Sequence, residues 1–229
     1  MNQQELISFM ESIKQQENAG GNYLLEHRPT KTTTENGVVT VQALGAYGIL
    51  NINWDWWAKQ AGYEGADWRT PEMQDIVAAN KMTEYYNKYG SWDLVAVAWY
   101  GGPGAANTAL NQGIDSVGDL GNMDNFGPNI QSYVNSVMET YAIELEKIPE
   151  NINVKTYIEQ SHADLPSENL KGVDEGMIQA GTGTEQHAAA LLSALVPGRA
   201  SQQEVVEEEV ITDDSDISIK DMINIWNVE

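Results

Sequence analysis

Cysteine is absent from all 229 residues, which excludes disulfides and thiolate chemistry without naming a compartment. No run approaches the roughly 18 to 20 apolar residues that a bilayer span requires. The first ten residues, Met1 to Met10, lack both a basic segment and a continuous apolar one, so no secretory signal is visible there. Cations are scarce: 12 basic residues face 34 acidic ones, a formal charge of −22. Such a surface repels phosphate backbones and anionic lipid, which disfavours nucleic acid and membranes as partners. Familiar site motifs are missing too. His27, His162 and His187 stand far apart in sequence, and neither HExxH nor EF-hand spacing occurs. There is no GxGxxG, and Gly101-Gly102-Pro103-Gly104 lacks the lysine a phosphate cradle wants. Ser12, Ser91 and Ser116 have no nucleophile-elbow context. No cofactor and no metal is therefore expected.

The apolar fraction of 41% suffices for a core, and its spacing is mostly helical. Leu6, Phe9, Met10 and Ile13 predict a first helix over about 3–17, ended by Asn18 to Gly21. Asn36-Gly37 before the β-branched run Val38 to Val41 predicts a hairpin, the one convincing strand signal in the first 150 residues. Trp54, Trp57, Ala58 and Ala61 make a second helical stripe, closed by Gly62. Thr70-Pro71 reads as a helix start with a capping hydroxyl, running to Tyr89 with Gly90 as the stop. Ser91 can cap a helix over 92–100 whose Leu94 to Ala98 is apolar all round and should be buried. The glycine cluster at 101–104 then breaks the chain before a short helix near 105–110. After a loop through 113–127, Ile130, Val134, Val137, Met138, Tyr141, Leu145 and Ile148 mark a long amphipathic helix closed by Pro149.

These signals give a mostly α (α+β) domain over 1–148. From Pro149 onward, 16 acidic residues face 4 basic ones, and residues 149–229 read as an acidic, partly ordered C-terminal extension. A helix around Ala188 to Leu195 is expected within it. Ile219, Ile223 and Trp226 offer a patch for docking on a partner.

Two features bear on chemistry. Glu17 lies four residues beyond Ile13 and so continues an apolar stripe. It is either a helix end reaching water or a carboxylate held against apolar surface, where a raised pKa would suit a general acid. Six of the seven tryptophans fall between Trp54 and Trp99, around the glycine turn Gly45 to Asn51. Singly each suits a core, but together wide aromatic faces edged by amides suit a sugar ring.

Three stretches in order carry a resemblance: Glu17-Asn18-Ala19-Gly20-Gly21-Asn22, Gly45-Ala46-Tyr47-Gly48-Ile49-Leu50-Asn51-Ile52 and Ala98-Trp99-Tyr100-Gly101-Gly102-Pro103-Gly104-Ala105. They resemble the three-block signature of soluble lytic transglycosylases in the lysozyme-like superfamily, which reads approximately Glu-Ser-Gly-Gly-Asn, Gly-Ala-x-Gly-Leu-Met-Gln and Ala-Tyr-Asn-Ala-Gly-Pro-Gly. Tyr89 to Leu94 also matches the usual lead-in to the third block, and the likeness covers about residues 3–112. It implies a lysozyme-like fold and cleavage of the β-1,4 bond between N-acetylmuramic acid and N-acetylglucosamine in peptidoglycan. Glu17 would be the catalytic acid and then base, yielding a 1,6-anhydro product. The implied substrate contacts are Tyr47, Gly48, Asn51, Trp99 and Tyr100, with Tyr100 donating near the acid. Asn51 stands where the family has glutamine, and Trp99-Tyr100 where it has Tyr-Asn.

Two other readings stay open. A second carboxylate, from Glu26, Glu35 or Asp55, would make the enzyme a hydrolytic muramidase instead. Alternatively the chain is a non-catalytic structural or wall-binding protein. On the transglycosylase reading as on its rivals, the expected partners are the peptidoglycan glycan strand and, through the extension, proteins of a phage virion. The expected site of action is a virion or the extracellular or periplasmic space.

Overall fold

The computed structural model describes residues 1–18, 21–34, 37–118 and 128–163. Glu35, the helix expected around 188–195 and the patch at 219–226 lie outside them. The described residues form a mostly helical domain of six α-helices with two small antiparallel sheets of two strands each.

Helix α1, Gln3–Asn18, buries Leu6, Ile7, Phe9, Met10 and Ile13, the stripe its spacing predicts. Phe9 stacks on Trp92 with ring centroids 4.5 Å apart. At the start of α1, Gln4 donates to the carbonyls of Leu145 and Ile148. It thereby satisfies acceptors that the end of a helix leaves open, and it locks α1 along α5, Ile130–Lys147.

Strands β1, Thr30–Thr34, and β2, Gly37–Val41, pair antiparallel from Thr30 opposite Val41 to Thr34 opposite Gly37. This is the expected hairpin. A second sheet, β3 (Ala43–Leu44) with β4 (Ile49–Leu50), was not legible, because two-residue strands are too short to show alternation. It closes the turn between them, where Gly45 and Gly48 take φ of 70° and 62°, values a side chain opposes.

Helix α2, Asn51–Gln60, follows directly, then α3, Pro71–Tyr89. Thr70 makes no side-chain cap, contrary to expectation. Pro71 starts α3 without sacrificing a hydrogen bond, and the stop at Gly90 is left-handed with φ 80°. Ser91 does cap α4, Trp92–Gln112, by accepting from the Leu94 amide at 3.3 Å. Val95 to Ala98 are buried as expected, whereas Leu94 is only half-buried. The break in the glycine cluster is a kink at Gly102 (φ 77°, ψ 169°), after which Pro103 opens the second segment.

A single turn of 3-10 helix, Ile114–Val117, ends this part of the chain. Gly101 lets α5 approach: a Cβ there would meet Ile130 Cδ1 at 2.7 Å. The helical body does not stop at residue 148. Helix α6, Val154–Ala163, buries Val154 and Ile158 in the same core and packs on α1 and α3, and Gln3 accepts from the Val154 amide. No helix among the described residues is long and apolar enough to cross a membrane.

Candidate functional site

The last turn of α1 meets the Gly45–Gly48 turn through Asn18. Its amide nitrogen donates to the carbonyls of Asn22 and Gly45, and its oxygen accepts from the amides of Gly21 and Asn22. The helix end is thereby capped and tied to the turn in one motion. On the far side of the turn, buried Gln74 of α3 accepts from the Ala46 amide at 2.8 Å and donates to the carbonyls of Tyr23 and Trp68. A Cβ on Gly45 would fall 2.0 Å from its Oε1, so only glycine admits this grip.

Glu17 stands one residue before Asn18, partly buried, and its carboxyl lies against the turn. A Cβ on Gly48 would come within 2.5 Å of Glu17 Oε2. Oε1 accepts from the Tyr133 hydroxyl of α5 at 2.6 Å. Burial raises the Glu17 carboxyl, and the Tyr133 bond, which favours the charged form, only partly reverses this, leaving it at about 7. Of the two sequence readings of Glu17, the sheltered carboxylate is the one the fold realises. Tyr133 is itself buried, its phenol pushed well above the usual range by desolvation and then by Glu17. Sequence reasoning missed it. A tyrosine within an amphipathic helix carries no mark that separates a site donor from a core ring.

The other expected residues are arranged differently from the reading that named them. Tyr47 is wholly buried, and its hydroxyl donates to Asp75 Oδ1 at 2.6 Å, so only its backbone borders the turn. Asn51 spends its amide on the backbone: Oδ1 accepts from Gln42 N at 2.8 Å and Nδ2 donates to Thr40 O at 3.1 Å, joining α2 to the hairpin. Trp99 donates from Nε1 to the Tyr47 carbonyl at 3.2 Å and packs on Trp57. It braces the turn from behind.

Tyr100 does not donate to Glu17. Its hydroxyl bonds the Pro128 carbonyl at 2.6 Å, and its ring stacks on Tyr133 with centroids 4.2 Å apart, holding the residue that does. The tryptophan concentration is mostly core, with Trp54, Trp57 and Trp92 each under 7% exposed, whereas Trp56 reaches 38%.

Among the candidate second carboxylates, Glu26 is engaged by Arg69 at 3.1 Å and by the Gln42 amide, and Asp55 is exposed on α2. No three His, Asp or Glu side chains among the described residues converge on a metal position. The arrangement can therefore present one protonated carboxyl at a glycine turn, with a phenol donor on its other oxygen. Comparison with known proteins adds no kinship to this geometry: no family model, curated protein or solved structure matches the chain.

Proposed function

We propose that the chain is a peptidoglycan lytic transglycosylase with a lysozyme-like fold, cleaving the β-1,4 bond between N-acetylmuramic acid and N-acetylglucosamine. One observation carries this: Glu17 is sheltered between Gly48 and Tyr133 and holds its proton to about pH 7. A carboxyl of that kind can protonate a glycosidic oxygen near neutrality. As the bond to C1 breaks, the substrate's own acetamido group stabilises the sugar cation, and the Tyr133 hydroxyl stabilises the carboxylate left behind. Glu17 then takes the C6 hydroxyl proton, and the C6 oxygen closes on C1 to give the 1,6-anhydro sugar.

No water adds, so no second carboxylate is needed, unlike the paired scheme of most glycosidases. Glu26 is paired with Arg69 at the surface and Asp55 is exposed on α2, so neither is sheltered as Glu17 is. The absence of a side chain at Gly48 leaves backbone next to the acid, where a sugar ring can approach closely. The substrate lies outside the cytoplasmic membrane, so the enzyme acts in the periplasm, outside the cell, or from a phage particle with its acidic C-terminal region docked on virion proteins.

The internal engagement of Asn51 and Tyr47 speaks for the rival reading, a wall-binding protein without catalysis. Wild type and Glu17→Gln separate the two. The enzyme reading expects wild type to solubilise purified peptidoglycan, and the variant to lose that activity while still sedimenting with the wall. Full activity in the variant removes Glu17 from the mechanism, and an inactive wild type that sediments with the wall favours the rival.

A further inference from the structure

A buried ionic cluster lies directly behind the Glu17 site. Asp75 of α3 is wholly buried, and both of its oxygens are occupied. Oδ1 accepts from Tyr47 at 2.6 Å, and the Tyr23 hydroxyl lies 2.9 and 3.1 Å from Oδ1 and Oδ2. Lys14 Nζ stands 4.0 Å from Oδ1, and His162 Nε2 of α6 lies 3.0 Å from Oδ2. Lys14 in turn contacts Glu11 and the Tyr157 hydroxyl, which donates to Glu11. Desolvation would raise Asp75, but Lys14, His162 and Tyr47 outweigh it and hold the carboxyl below its usual range.

A buried charge that only filled space would be a poor choice, since apolar residues of like volume serve stability as well or better. What distinguishes this cluster is its reach. Lys14 sits on α1 three residues before Glu17, and Tyr47 sits on the turn one residue before Gly48, so the cluster grips both walls of the site. Consecutive residues of α3, Gln74 and Asp75, hold consecutive residues of the turn, Ala46 by its backbone and Tyr47 by its side chain.

We propose that Asp75 is a positioning residue for the Glu17 site, fixing the Gly45–Gly48 turn against the carboxyl through the Tyr47 hydroxyl, and that α6 completes this device with His162 and Tyr157. The proposal rests on the reading of Glu17 as the acid. It adds that the site depends on a helix beyond residue 148. Losing the Tyr47 bond lets the turn shift, water reaches Glu17, and the carboxyl titrates lower.

The test uses the full chain, labelled with carbon-13 so that the Glu17 side-chain carboxyl can be followed by NMR through a pH titration. Turnover of soluble glycan strands is measured beside it. Tyr47→Phe removes one hydroxyl and keeps the ring. Its Glu17 midpoint is expected to fall by about one unit, and kcat to fall on the order of tenfold, with KM within about twofold. Asp75→Asn should act in the same sense, and Tyr47→Phe carries the decision if that variant does not fold.

His162→Gln should lower the midpoint by a smaller step, and an unchanged midpoint removes α6 from the device. Thr83→Val deletes a different buried hydroxyl, one on α3 bonded to the Ala79 carbonyl, and should leave both readouts unmoved. If Tyr47→Phe behaves like Thr83→Val, the positioning role is overturned even though wild type cleaves. If wild type cleaves nothing and Tyr47→Phe still lowers the midpoint, the positioning role stands and the enzymatic reading falls.

Discussion

Glu17 is shaped by two opposed effects, and their balance makes the pH behaviour a usable test. Desolvation favours the protonated carboxyl and the Tyr133 bond favours the ionised one, with a net position of about 7. The proposed chemistry needs the protonated form in the free enzyme, so kcat/KM should fall as pH rises through about 7. Tyr133→Phe removes only the effect that lowers the pKa, so the falling limb should move to higher pH. Turnover should drop on the order of tenfold, because a hydrogen bond to a charged group is lost; a pH-rate profile of the two proteins checks both. Gly48→Ala adds strain at φ 62° and sets a methyl carbon 2.5 Å from Glu17 Oε2. It should cost about 1 to 2 kcal/mol in a denaturant titration and roughly a hundredfold in turnover through displacement of the acid. Glu17 and Gly48 were legible in the sequence, one from a carboxylate on an apolar stripe and the other from a glycine turn. Tyr133 was not, because its meeting with Glu17 spans 116 positions of sequence that local spacing does not relate. How the Tyr47 and Asn51 side chains face was not legible either, because it depends on α3 and the hairpin.

At the scale of elements, the site exists because α1, the glycine turn and α5 meet: α1 and α5 share one apolar core, and short polar contacts then fix the turn and the Glu17 carboxyl between them. Helix α5 begins at a capped end: Asn129 accepts from the Ser132 amide at 2.8 Å, one turn before Tyr133. Asn129→Ala should lower stability by about 1 kcal/mol and loosen the donor to Glu17. The check is a denaturant midpoint measured beside turnover. Helix starts and stops were largely readable, since Ser91, Gly90 and Pro149 act through local chemistry that sequence displays. Thr70 shows the limit, because an equally good capping residue does no capping where Pro71 already sets the helix. The β3–β4 sheet and α6 were hidden for another reason. The first is too short for a pattern, and the second, with its polar exposed face, packs because Val154 and Ile158 find a surface that α1 and α3 create.

For the whole molecule, the sheltered acid carries a stability cost at and above neutral pH. Glu17 binds its proton more tightly folded than unfolded, so its contribution to stability is complete below about pH 4.5 and is lost as pH rises through about 7. The loss amounts to about 3 kcal/mol at most, from a displacement of roughly 2.5 units. Glu17→Gln keeps an acceptor for Tyr133 and carries no charge. It should therefore be more stable than wild type at pH 8 and indistinguishable from it at pH 4, as thermal unfolding at the two pH values will show. The formal charge of −22 adds a salt dependence: walls bearing anionic polymers should be cleaved faster as ionic strength rises, through screening of the repulsion. The most direct test of the central claim is the mass of the sugar ends released from purified peptidoglycan. The account predicts 1,6-anhydro-N-acetylmuramic acid ends from wild type and none from Glu17→Gln. Reducing ends that carry an added water, or no released sugars at all, would contradict it.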